Sequence, residues 1–63
     1  MKNILQDLSQ KGALVNIRYI APRKGPITIW GRILEVKEDV ILVYNVDQSS
    51  VVNISIHQID EIN

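Results

Sequence analysis

The feature that most constrains this chain is a glycine set inside its longest apolar stretch, Ile27-Thr28-Ile29-Trp30-Gly31-Arg32-Ile33-Leu34-Glu35-Val36. The stretch alternates with the period of a strand. Glycine weakens a strand interior and usually marks a sharp bend there. A second apolar run, Val40-Ile41-Leu42-Val43-Tyr44, follows after three charged residues. A third, Ile54-Ser55-Ile56-His57-Gln58-Ile59-Asp60-Glu61-Ile62, ends the chain's patterned region. A long bent strand, a returning strand and a short closing strand specify a mainly β fold. The expectation is a small, bent, five-stranded antiparallel barrel.

The chain has 63 residues and no cysteine. One domain, 1–63, is expected. A chain of this size buries only about 60 % of its unfolded surface, so its core is marginal. Disulfides and thiolate metal sites are excluded, and one histidine cannot build a structural zinc centre. Oligomerisation is the remaining way to support so small a core. No apolar run approaches the roughly 20 residues that span a bilayer. Gln6, Asp7, Ser9 and Gln10 interrupt what would be a signal peptide's apolar segment. A cytoplasmic chain with no membrane partner is the expectation.

Formal charge sums to zero but is unevenly placed. Residues 1–32 carry six basic groups against one acidic, and residues 33–63 one basic against six acidic. Such asymmetry gives either a basic face for an anionic partner or attraction between the two halves.

Residues 3–11 read as a short helix, with Asn3 as N-cap and Gly12 as the residue after the end. Ile4, Leu5 and Leu8 form its apolar face. About nine residues are too few for a stable isolated helix, so it must lie across an open end of the barrel. Strands are expected over 14–20, 27–36, 40–46, 51–57 and 59–62. Val15, Ile17 and Tyr19 should face inward, as should Ile27, Ile29, Gly31 and Ile33, which turns Trp30 outward. Ala21 to Pro26 reads as a long first loop because of its two prolines. Arg18 and Arg32 should lie together on the outside as a basic strip, or pair with Glu35 and Asp60.

A leading helix, five strands with a bent second strand and a one-residue turn at Gln58 together resemble the Sm/LSm family, in particular its bacterial Hfq-like branch. Gly31-x-Ile33 through Val40-Ile41-Leu42-x-x-Asn45 is similar to the first Sm motif. Ile54-x-x-His57-x-Ile59-x-x-Ile62 is similar to the second, with His57 where the bacterial branch has the histidine of its Tyr-Lys-His triplet. Ser55 and Ile56 replace the other two members. Lys37 stands at the family's turn aspartate, and Glu38-Asp39 at its pore-facing Gln-aromatic pair. The resemblance implies an Sm-like barrel and a closed homo-oligomeric ring, joining the 51–57 strand to the 59–62 strand of the neighbour. It also implies single-stranded RNA as partner. A monomeric SH3-like peptide-binding barrel is the competing fold, but it would want more aromatics than Tyr19, Trp30 and Tyr44.

Candidate RNA-binding residues are His57, Asn45, Lys37, Arg23, Lys24 and Trp30. His57 can donate from both ring nitrogens when protonated, or can simply satisfy a neighbouring carbonyl at a strand end. Trp30 can stack a base, or can pack at an interface. Arg23 and Lys24 can meet phosphates, or can sit in an ordinary solvated loop. The residues for catalysis are hard to assemble. Ser55 and His57 would share a strand face with no orienting group, and no phosphate-cradling glycine loop or cofactor motif is present. No enzyme activity and no cofactor is expected. The alternative to an RNA-binding ring is a structural or protein-interaction module without RNA binding.

Overall fold

A computed structural model describes residues 2–63. Helix α1 spans Lys2–Lys11, and five strands follow: β1 Val15–Ala21, β2 Gly25–Val36, β3 Val40–Asn45, β4 Ser50–Ser55 and β5 Ile59–Ile62. A 3-10 turn, Ile56–Gln58, joins β4 to β5. The fold is mainly β, as the alternation implied. All pairings are antiparallel, in the order β4-β3-β2-β1-β5. The sheet bends but does not close within the chain, so the barrel is an open one with β4 and β5 at its edges.

The bend has a clear origin. Gly31 is where β2 changes partners, facing Val15 of β1 on one side and Asn45 of β3 on the other. A Cβ built there would lie 2.0 Å from the Tyr44 carbonyl oxygen and 3.0 Å from its carbon. Only glycine lets the two backbones approach so closely. The inner face then carries Val15, Ile17, Ile29, Ile33, Ile41, Val43 and Ile54, all buried.

Three local readings of the sequence need correcting. First, the β1–β2 connection is short. Pro22, Arg23 and Lys24 form a three-residue turn, closed by a hydrogen bond from the Lys24 N–H to the Ala21 carbonyl at 3.1 Å. Arg23 at φ 68° and Gly25 at φ 82° supply the left-handed backbone. Pro26 lies within β2, opposite Ile20. It is tolerated because β2 has no second neighbour before Gly31, so the missing N–H breaks no β3 ladder bond. Second, a bulge lies between Ile33 and Glu35, where β2 passes β3 with one extra residue. Strict alternation after Ile33 would turn Glu35 into the core; the bulge leaves Leu34 and Glu35 outside and returns Val36 toward the interior. Third, β4 ends at Ser55, so Ile56, His57 and Gln58 are a full 3-10 turn rather than strand end plus one-residue turn.

Helix α1 packs against β2 and buries Leu5 completely. Leu8 is half-buried, but Ile4 is 59 % exposed and does not belong to the packed face. Burying Leu5 contributes about 1.5–3 kcal/mol. Gly12, at φ 64°, ends the helix as expected. Its N–H donates to the Ser9 carbonyl and the Ala13 N–H donates to the Leu8 carbonyl, the paired bonds of a Schellman ending. No helix among the described residues is long and apolar enough to cross a membrane.

Candidate functional site

The 3-10 turn is the structural centre of the candidate site. The Ile56 N–H donates to the Asp39 carbonyl at 2.8 Å, which fastens this turn to the Lys37-Glu38-Asp39 connection between β2 and β3. That connection is itself closed by the Lys37 N–H donating to the Val40 carbonyl at 2.9 Å. Residues far apart in sequence, Lys37 and His57, are thereby brought to one end of the molecule with their side chains exposed. The Lys2 ammonium approaches the Glu38 carboxylate at 3.4 Å there. Both groups are largely solvated, so this pair adds little stability.

The same turn also packs against β1, and β5 begins opposite Tyr19. It therefore sits toward the end of β1 from which the Arg23-Lys24 hairpin tip extends. Pro22 and Gly25 bracket that tip, which carries two cations on an exposed turn.

Trp30 and Asn45 do not join this cluster. The Val46 N–H donates to the Trp30 carbonyl at 2.9 Å, and Asn45 faces Gly31, so both lie at the bend. They occupy opposite faces. Trp30 points outward and is 37 % exposed, whereas Asn45 is buried on the inner face. The Asn45 side-chain oxygen accepts the Gln48 N–H at 3.3 Å, which anchors the β3–β4 turn. Asn45 thus has a turn-holding role.

No known protein family, curated protein or solved structure matches the chain. The chemistry of the site therefore stands on its own geometry.

Of the two arrangements expected for Arg18 and Arg32, the pairing with Asp60 forms for Arg18, whose Nε lies 3.4 Å from an Asp60 carboxylate oxygen. The joint strip does not form, because Arg18 faces Thr28 whereas Arg32 faces Tyr44 of β3. Sequence reasoning also missed two groupings. A shallow, open depression of about 320 Å³ lies between α1 and β2, lined by Gln6, Ser9, Gln10, Leu34, Glu35 and Val36. It exists because the bulge displaces Leu34 and Glu35, and period-two patterning carries no signal for a bulge. The second grouping places Arg32 between Trp30 and Tyr44 on the outer face. Its signal was available: Arg32 is two residues from Trp30, and the turn after Val36 sets β3 back against β2. Among the described residues, no group of three His, Asp or Glu side chains is arranged to hold a metal ion.

Proposed function

We propose that this chain is one subunit of an Sm-like homo-oligomeric ring that binds single-stranded RNA as a small regulatory or chaperone module. The observation that carries the reading is the strand order, which leaves β4 and β5 as the two unpaired edges. Both edges expose part of the core: Val52 on β4 with Ile56 just after it, and Ile59 and Ile62 on β5, are only partly covered. Bare apolar edges recruit other chains. Pairing β4 of one subunit with β5 of the next would satisfy both ladders and cover these side chains. A head-to-tail contact of this kind closes into a ring when its rotation allows.

In such a ring every subunit would present one His57 and one Lys37 in the same setting. Imidazole and ammonium groups donate to bases and phosphates, and Arg23 and Lys24 would extend the contact along the strand. Trp30 lies away from this cluster and enters only if RNA also crosses the outer face.

A second reading, a ring that serves protein assembly without RNA, is favoured by Glu38 and Asp39. Both are exposed in the connection bonded to the His57 turn, where they repel phosphate. Filter binding against U-rich, A-rich and mixed RNA at two salt concentrations separates the readings. Affinity that falls steeply with salt supports phosphate contacts, and absence of binding at low salt selects the protein-assembly ring.

A further inference from the structure

We propose that the outer face of the sheet around Trp30, Arg32 and Tyr44 docks an acidic peptide segment of another protein, one that sets a bulky apolar residue beside a carboxylate. Arg32 and Tyr44 are directly opposed across β2 and β3, and Val51 of β4 opposes Tyr44 in turn. Trp30 lies two residues before Arg32 on the same face, with Val46 hydrogen-bonded to its backbone. Leu14 immediately precedes Val15, the residue that faces Gly31, and so lies at the margin of this face. Val51 is 58 % and Leu14 49 % exposed, large values for aliphatic side chains. Trp, Tyr and Arg clustered with an aliphatic surround is the composition of an interface centre.

Charge decides the occupant. The Arg32 guanidinium has no carboxylate within 4.0 Å among the described residues, whereas Arg18 is engaged by Asp60. Glu35, the nearest acid along the strand, lines the depression against α1. The face therefore offers one unpaired cation amid apolar area, which an incoming carboxylate complements. A second copy docked about a two-fold axis at the centre of this face would set Arg32 against Arg32, like charge on like. Single-stranded RNA needs a track of free cations, and this face supplies a single unpaired one, since Arg18 is engaged by Asp60. The surface lies on outward side chains of β2, β3 and β4 and uses none of the edge hydrogen-bonding groups, so the inference does not depend on ring formation.

Trp30 is the only tryptophan, so its fluorescence reports on this face alone. Random peptides displayed on phage are selected against the purified chain and then titrated against its emission. The expected result is enrichment of sequences pairing Asp or Glu with Leu, Phe or Trp, and an emission shift on binding. Arg32→Glu should weaken these peptides about tenfold or more, and Val51→Asp should weaken them as well, with circular dichroism showing both variants folded. Selected peptides without acidic bias, unchanged Trp30 emission, or unchanged affinity in both folded variants would overturn the proposal. So would an emission change produced by RNA and lost in Arg32→Glu, or self-association lost in that variant.

Discussion

At the scale of single residues, Gly31 and Arg23 make opposite uses of the backbone. Gly31 is required by a neighbour: any Cβ collides with the Tyr44 carbonyl, which belongs to the β2–β3 ladder and cannot swing aside. Gly31→Ala should cost at least about 2 kcal/mol in a denaturant titration, the range of backbone-displacing overpacking. The glycine was legible as a bend; the reason for it, a change of strand partner, was not, because pairing is a long-range fact. Arg23 takes a left-handed φ that glycine holds without penalty. Arg23→Gly should therefore change stability by less than about 1 kcal/mol, since strain relief and added chain entropy nearly cancel. On the RNA-ring reading it should nevertheless weaken RNA binding and lessen its salt dependence, as filter binding would show. Glu38→Gln combined with Asp39→Asn should strengthen RNA binding in the same assay, and His57→Ala should weaken it. Unchanged affinity in both would remove the 3-10 turn from the binding site.

At the scale of elements, helix and strands were readable because burial imposes periods of 3.6 and 2 on the sequence. Val15 and Ile17 face in and Trp30 faces out, as alternation required. Readings failed where one residue changes the phase. The Ile33–Glu35 bulge leaves no mark in hydropathy, and Ile54-x-Ile56 mimics a continuing strand although Ile56 already belongs to the 3-10 turn. Two prolines suggested a long loop, yet one of them fits a stretch of β2 that has only β1 beside it. Helix α1 depends on docking, since ten residues form no stable helix alone. Leu5→Ala should destabilise the fold by about 2–5 kcal/mol, because Leu5 is fully enclosed between the helix and the sheet. Ile4→Ala should cost under about 0.5 kcal/mol, as Ile4 faces solvent. Comparing the two midpoints in one denaturant series checks which helix face is packed.

At the scale of the whole molecule, a small open sheet carries two unpaired edges and no disulfide to reinforce it. The ion pairs Lys2–Glu38, Lys11–Asp7 and Arg18–Asp60 are solvated and add little. Lys2–Glu38 and Arg18–Asp60 join the basic first half to the acidic second half, so part of the charge asymmetry is used within the chain. Fold class was legible in the sequence, whereas the candidate site was only partly so. The turns that carry Lys37 and His57 are joined by a backbone bond between Ile56 and Asp39 that no local pattern announces, and Asn45 turns inward to hold a turn. Stability of so small a core should rise sharply with assembly, because association removes both edges at once. The central claim is that β4 and β5 of neighbouring subunits pair to close a ring. Light scattering on the eluting peak of a sizing column, at micromolar concentration, measures this directly. The account predicts one discrete species whose mass is a fixed multiple of 7.2 kDa, independent of dilution, and reduced to a single subunit by Val52→Lys on the β4 edge. A stable 7.2 kDa monomer of the unaltered chain at that concentration would contradict it.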